Sequence, residues 1–330
     1  MFDRSGELQV AAAATEVDDD VVIEGRSLRQ IAWRRFKRDR VALVAGVVLI
    51  IILLVAIFAS QLIEWYGQPP SQFNSDLISN DTTMPVGSFG GISTRHWLGI
   101  EPVNGRDMLS RLIAGLRTSM IIALPATGIS VVLGVLTGVL SGYYRGALDA
   151  IMVLFYDVLL SLPGLLSVVT LVAILNQSRE LLGLSGVLLN IVLVIAVLGF
   201  FGFTYLGRLI RGQVIELRER EFILAARSLG ASDLRIITKE LLPNLMGPLL
   251  VWTSLAVPTN ILAESALSYL GFGVQPPTAS WGGMISTAQG WYSVDPMGLC
   301  CPGVALFITV LAFNLFGDGL RDALDPKSAQ

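Results

Sequence analysis

The sequence is poor in the residues that soluble enzymes use for chemistry. It has one histidine, two cysteines and three lysines among 330 residues, and 15% of its residues are charged. A nucleotide-hydrolysing chain needs a glycine-rich loop that ends in Gly-Lys-Ser or Gly-Lys-Thr. None of the three lysines (Lys37, Lys239 and Lys327) lies in such a loop. We therefore expect that this chain does not hydrolyse ATP itself.

The scarce cysteines and histidine also exclude other classes of site. Cys300 and Cys301 are adjacent at the start of an apolar run, which is neither a metal-ligand spacing nor a disulfide framework, so we interpret them as core residues. His96 is followed by Trp97-Leu98-Gly99. A membrane-embedded hydrolase would need a nucleophile and a base close together, and this histidine has no such companion nearby in the sequence.

The chain is instead rich in long apolar runs. Hydrophobic residues make up 53% of it, and its mean hydropathy is +0.66. A helix that crosses a bilayer needs about 20 apolar residues, because its backbone groups must be satisfied within the segment. Six stretches meet this length: 41–63, 120–142, 151–175, 187–206, 241–263 and 297–316. The sequence predicts an all-α membrane protein with six transmembrane helices, and prolines in the fifth stretch predict kinks.

Arginine and lysine positions predict the orientation. Positive loops stay in the cytoplasm. Seven basic residues lie in 26–40, directly before the first stretch, and seven lie between the fourth and fifth, whereas 240–320 contains none. We expect both termini and the loop 217–239 to be cytoplasmic in a bacterial plasma (inner) membrane. The segments 64–110 and 269–296 would then be extracytoplasmic.

The N-terminal 40 residues divide into two parts. Residues 1–25 are acidic, with Asp18-Asp19-Asp20 in a row, and are typical of a disordered cytoplasmic tail rather than a signal peptide. In 26–40, apolar and basic residues fall on opposite sides of a helix, which predicts an amphipathic elbow on the inner membrane surface. A basic cluster that only sets topology is the alternative. The apolar positions are Leu28, Ile31, Ala32 and Phe36.

A glycine recurs every fourth residue in the second stretch, at Gly134, Gly138 and Gly142. This spacing places the three glycines on one helix face, where a second helix can approach closely. We predict a packing role for this stripe.

The loop 217–239 has the pattern of two short helices joined by a turn. Phe222, Ala225, Ala226 and Leu229 have i, i+3, i+4, i+7 spacing, which makes an apolar stripe on a charged segment. Gly230 suits the left-handed residue that ends a helix, and Ser232 or Asp233 suits the start of the next one. Two alanines leave room for a close contact, so we predict that a soluble partner protein binds here.

These residues resemble the cytoplasmic "EAA" loop of ATP-binding-cassette (ABC) importer permeases. The shared features are Ala225-Ala226, Gly230 and Leu242-Pro243, although Leu224 stands where the motif has its glutamate. The resemblance implies a type I ABC importer permease fold, in which the loop forms a coupling helix seated in a groove of an ATPase subunit. It assigns the ATPase contact to Glu221, Phe222, Ala225, Ala226, Leu229, Gly230 and Pro243.

Further motifs are similar to the dipeptide and oligopeptide branch of these permeases. They lie at 96–99, 105–111, 263–277, 281–282 and 312–326. The resemblance implies a five-helix permease core over 111–326, a second homologous permease, two ATPase subunits or domains that hold ATP and Mg²⁺, and an extracytoplasmic substrate-binding protein. It implies that this chain itself binds no cofactor, metal or nucleic acid. Besides its protein partners, the chain is expected to contact membrane lipid. Peptides are the expected cargo, although related systems carry nickel or haem.

Two acidic residues lie within or beside apolar stretches, where a charge is costly unless it has a partner or faces a cavity. For Asp157 we weigh a role in the translocation path against a structural hydrogen bond, and for Glu264 a path role against exposure at the membrane interface. Both could instead relay protons in a secondary transporter. Such a transporter would leave the 217–239 pattern unexplained, and the sequence shows no inverted repeat.

Overall fold

The computed structural model describes residues 33–87, 89–175, 180–181 and 183–324. The predicted tail 1–25 and the first part of the predicted elbow, 26–32, lie outside the described residues, as do 325–330.

The described chain is almost entirely helical, with one two-stranded antiparallel hairpin in which Glu180 pairs with Ser185 and Leu181 with Leu184. The elements in chain order are α1 (Arg40–Ile57), α2 (Ala59–Tyr66), a 3₁₀ turn (Ser75–Leu77), α3 (Met108–Tyr144), α4 (Ala147–Ser161), α5 (Gly164–Leu175), β1 (Glu180–Leu181), β2 (Leu184–Ser185), α6 (Gly186–Leu217), α7 (Glu221–Ser228), α8 (Asp233–Arg235), a π turn (Ile236–Leu241), α9 (Leu242–Tyr269), α10 (Trp281–Ala288) and α11 (Met297–Leu324).

Long apolar helices account for the membrane spans. Five segments are long and apolar enough to cross a membrane, and α4 with α5 makes a sixth if the pair counts as one span. The prediction of an all-α membrane protein is confirmed. α3, α6 and α11 are longer than the apolar stretches that predicted them, because polar residues extend each helix beyond its apolar part.

The third predicted span is not a single straight helix. The stretch 151–175 contains two helices, α4 and α5, which meet at an angle of 90° and count as the sixth span when taken together. Leu162 ends α4 in an extended conformation, with ψ of 140°. The residue before a proline avoids the helical region, and Pro163 cannot donate a backbone hydrogen bond. The Leu162-Pro163 pair therefore permits a break at this position.

The glycine stripe of α3 forms the seam with α6. A Cβ atom at Gly134 would lie 2.8 Å from the Cβ of Leu206, and one at Gly142 would lie 2.9 Å from the Cβ of Val214. At Gly138 a Cβ would be 2.6 Å from the carbonyl oxygen of Gly207. The predicted packing role is confirmed. Since the contacts advance in the same direction along both helices, α3 and α6 run parallel.

The parallel helices define two ends of the bundle. α3 and α6 begin at the end that carries residues 67–107, which we call the cap end, and they finish at the end that carries residues 217–239, which we call the loop end. At the loop end α1 packs against the last turns of α11, where a Cβ on Gly319 would overlap the side chain of Ala42. Asp39 caps α1 by accepting hydrogen bonds from the backbone N–H groups of Val41 and Ala42.

The described residues of the predicted elbow 26–40, which are 33–40, do not form one continuous helix. Within the described residues a helical turn covers 33–36, and the chain then turns at 37–39 before α1 begins. Phe36 packs edge-on against Phe316 of α11, with ring centroids 5.6 Å apart. The described part of the elbow is therefore held against the bundle.

Candidate functional site

The loop 217–239 folds into the helix–turn–helix that the sequence predicts. The turn after α7 contains Gly230, whose φ of 78° lies in the left-handed region. The N–H of Ala231 donates to the carbonyl of Ala226 (3.1 Å), and the N–H of Gly230 donates to that of Arg227 (3.0 Å). This pair of bonds is the Schellman motif, which satisfies the last carbonyls of a helix. Ser232 precedes the first residue of α8.

α7 is anchored on one side and exposed on the other. Ile223 is fully buried in a cluster that includes Val214, Ile236 and Leu241. On the other side, the side chain of Leu229 is 88% exposed. The remaining members of the apolar stripe are exposed (Phe222 and Ala225) or half-buried (Ala226). The bundle leaves this apolar surface uncovered, as expected for a surface that a partner covers.

Sequence reasoning missed Ile223 as the anchor. The stripe at 222, 225, 226 and 229 has helical spacing, whereas Ile223 and Leu224 are apolar residues outside that stripe. Leu224, which occupies the position of the motif's glutamate, is also exposed. The only signal for the anchor was that α7 has apolar side chains on more than one face.

Polar contacts fix the loop to the end of α3. The hydroxyl of Tyr143 donates to Oδ1 of Asp233 (2.6 Å), and Nη1 of Arg218 donates to the carbonyl of Tyr143 (2.8 Å). Nη2 of Arg145 lies 2.7 Å from Oε1 of Glu219. Burial, followed by the charge of Arg145, lowers the pKa of Arg218 below its ordinary value. The loop is therefore attached to two helices, α3 and α6.

The remaining predicted coupling residues lie at helix starts. Glu221 is exposed in the first turn of α7, where a negative charge interacts favourably with the helix dipole. Pro243 occupies the first turn of α9, directly after the π turn.

Asp157 pairs with Arg208. The two side chains form an ion pair between α4 and α6, and both are about half exposed. A second pair joins the same helices, because Nε and Nη2 of Arg211 lie 2.5 and 2.9 Å from the two carboxylate oxygens of Asp149. Asp157 thus has a charged partner that sequence reasoning did not identify.

Glu264 lies in the interior of the bundle. It is fully buried, and its carboxylate accepts hydrogen bonds from the hydroxyls of Ser119 on α3 (2.8 Å) and Ser268 on α9 (2.7 Å). The alternative of exposure at the membrane interface is wrong. Ser119 is 145 residues away in sequence, so no local pattern could have indicated this contact.

The cap end contains a buried charge network. Oε2 of Glu101 lies 2.8 Å from Nε of Arg106, and Oε1 lies 2.5 Å from Nε of Arg111, with all three side chains buried. Nδ1 of His96 is 2.8 Å from Oδ2 of Asp107. Asp107 also caps α3 by accepting from the backbone N–H of Ser110 (2.8 Å). His96, the single histidine of the sequence, therefore has a structural contact in the cap.

Comparisons with known proteins agree with this architecture. The family described as "Binding-protein-dependent transport system inner membrane component" matches residues 134–330, and "N-terminal TM domain of oligopeptide transport permease C" matches residues 27–80. The chain is 37% identical to the glutathione transport system permease protein GsiD of Escherichia coli O157:H7 over 295 residues, 89% of each chain. It is 34% identical to the protein of that name from Pectobacterium atrosepticum over 309 residues, 93% of this chain and 94% of the other.

Proposed function

The chain belongs to the family of binding-protein-dependent transport system inner membrane components, as a multi-pass permease of an ABC importer, and from this premise we propose that it imports short peptides together with a second permease of similar fold. The glutathione transport permeases among its relatives and the oligopeptide-permease match at its N-terminus support this cargo over nickel or haem.

The proposed assembly follows from the two ends of the bundle. The arginine-rich loop end faces the cytoplasm, together with both termini, because basic loops remain inside. Two ATPase subunits or domains hold ATP and Mg²⁺ there. The cap end faces outward, towards a substrate-binding protein that delivers the cargo.

The observation that carries the proposal is the exposed apolar stripe of α7. Phe222, Ala225 and Leu229 face away from the bundle, while Ile223 holds the opposite side in place. A rigid helix with small and apolar exposed side chains can seat in a groove of a partner. Closure of the ATPase pair would then push α7, and the α3–α6 seam would carry the movement into the membrane. The two permeases would then open the translocation path to one side of the membrane and then to the other, which is the alternating-access mechanism.

Co-purification from detergent tests this proposal. We would express the tagged chain with its ATPases and its second permease, as wild type, Ala225→Arg and Ser228→Arg. Both positions are exposed on α7, but only Ala225 belongs to the stripe. Ala225→Arg should lose the ATPases and keep the second permease, whereas Ser228→Arg should keep both.

Two results would overturn the proposal. One is retention of the ATPases by Ala225→Arg at the level of wild type. The other is uptake of peptide into vesicles by this chain without any ATPase subunit, which would favour a proton-coupled secondary transporter.

A further inference from the structure

A groove of about 410 Å³ opens on the side of the bundle beside the α4–α5 break. Its walls come from the break itself, α6 and α9, and its floor includes Ser130 of α3 and Thr204 of α6. All of these positions fall within the apolar stretches that predict the spans. The volume lies within the range of about 300–1,000 Å³ that is typical of small-ligand sites.

The break indicates that the groove does not face lipid. Leu162, Pro163 and Gly164 form non-helical or helix-starting backbone, and all three are exposed in the chain. Irregular backbone at membrane depth is tolerated only where protein covers it or where it lines a water-filled cavity, because lipid offers no hydrogen-bond partner. Leu162 and Gly164 both line the groove. This side of the bundle must therefore meet water or another polypeptide.

Two polar side chains on α9 offer hydrogen-bond acceptors to the groove, whose lining also includes the donor-bearing side chains of Tyr205 and Trp252. Oγ1 of Thr259 donates its proton to the carbonyl of Leu255 (2.9 Å), which leaves the hydroxyl lone pairs free. Nδ2 of Asn260 donates to Oγ1 of Thr127 (2.8 Å), so its Oδ1 remains available as an acceptor. A ligand with N–H donors can bind to the two acceptors on α9.

Charge is absent from the groove walls. The described residues that line it include no Asp, Glu, Lys or Arg. Asp157 lies two residues before Leu159, and Arg208 lies four residues after Thr204. These two charges pair with each other. The groove therefore offers apolar contact and hydrogen-bond acceptors, but no net charge to select a charged side chain.

We propose that this groove lines the translocation path and contacts the peptide main chain of the cargo, whose amide N–H groups donate to Thr259 and Asn260. This inference rests on the proposed function and adds a site to it. Because every peptide has main-chain amides, such a site would accept side chains of different charge. The choice among cargoes would then be made elsewhere in the assembly.

Cysteine labelling of the complete complex tests the groove. Cys300 and Cys301 are first replaced by serine, since the interpretation of Cys300 as a core residue is wrong: it is exposed. Gly164→Cys probes the groove, because a Cβ there meets no atom within 4 Å. Gly128→Cys is the matched control: it is also exposed and uncrowded, within the apolar stretch of α3, but it does not line the groove.

A water-soluble maleimide should label Gly164→Cys at least about tenfold faster than Gly128→Cys, because the thiolate that reacts forms readily only in contact with water. Trialanine delivered with the binding protein and ATP should slow the labelling of Gly164→Cys. Equal, slow labelling at both positions in every nucleotide state would overturn the assignment of the path. Fast labelling that trialanine does not change would overturn the contact with cargo.

Two transport measurements complete the test. Gly164→Trp should reduce trialanine import by about tenfold or more while the complex still assembles, and Gly128→Trp should leave it near wild type. Equal import by both variants would contradict the proposal. Failure of the proposed peptide cargo is distinguishable, because the parent complex would then import no trialanine while Gly164→Cys still reacted with the maleimide.

Discussion

The two ends of the bundle place their ion pairs in opposite environments. At the cap end, Glu101, Arg106 and Arg111 are buried together. At the loop end, the ion pair of Arg145 and Glu219 is exposed to solvent, and the apolar stripe of α7 is exposed as well.

This difference indicates which end has a fixed structure and which end is available to bind a partner protein. Buried ions are costly unless each keeps its partners, so the cap can adopt few arrangements. An exposed apolar helix gains free energy when another protein covers it. We therefore expect the cap end to behave as a rigid cover of the bundle and the loop end as the site of reversible contact.

The largest expected effect comes from breaking the buried network. Glu101→Gln leaves two buried guanidinium groups without a negative partner, and we expect a loss of about 3–5 kcal/mol in the free energy of unfolding. The unfolding temperature of the purified protein in detergent measures it. Glu219→Gln breaks an exposed ion pair and should change stability by about 1 kcal/mol or less. Equal shifts for the two variants would remove the contrast between the ends.

The next effect concerns the anchor of the loop end. Ile223→Ala creates a cavity in a fully buried position, and we expect a local loss of about 2–5 kcal/mol. Hydrogen exchange of the α7 amides should become faster, while exchange in the cap should not change. Leu229→Ala is the control, because that side chain is 88% exposed. If both substitutions left α7 exchange unchanged, Ile223 would not be the anchor.

The smallest effect is a stabilisation at the cap end. Oδ1 of Asp295 accepts from the N–H of Met297 (3.2 Å), but Oδ2 is buried with no hydrogen-bond partner in the described part of the chain. Burial raises the pKa of Asp295 above its ordinary value. The ionised form is therefore disfavoured in the folded protein, and Asp295→Asn should gain about 1 kcal/mol at neutral pH.

The sign of the pH dependence follows from the raised pKa. Wild type loses stability as the pH rises through the pKa of folded Asp295, because the buried carboxyl must then ionise. The advantage of Asp295→Asn should disappear at acid pH, where Asp295 is protonated in both the folded and the unfolded states. Thermal unfolding of both proteins in detergent across this range measures it. An advantage that does not depend on pH would show that ionisation is not the cause.

Local patterns predict much of this fold. The apolar stretches, the glycine stripe and the turn at Gly230 each depend on residues within a few positions of one another. Prolines show the limit of such patterns. Pro125, Pro248 and Pro258 lie inside continuous helices, whereas α4 ends just before Pro163. Proline permits either outcome, and the packing of neighbouring helices decides between them.

The missed contacts of the candidate sites join residues that are far apart in sequence. Asp157 and Arg208 are 51 residues apart, and Tyr143 and Asp233 are 90 apart. Each partner is visible in the sequence as a polar residue, but the pairing depends on how α3, α4 and α6 pack. The exposed stripe of α7 could be predicted because it is periodic, whereas its anchor at Ile223 depends on the cluster beneath it.

The length of α6 sets the distance between α7 and the bilayer. Its apolar part, 187–206, is about 30 Å long at a rise of about 1.5 Å per residue, which matches the hydrocarbon thickness. The remaining part, 207–217, adds about 16 Å and carries Arg208, Arg211 and Glu216. α6 thus carries α7 beyond the apolar part of the same helix. A protein that binds α7 meets the charged end of α6 rather than its apolar part.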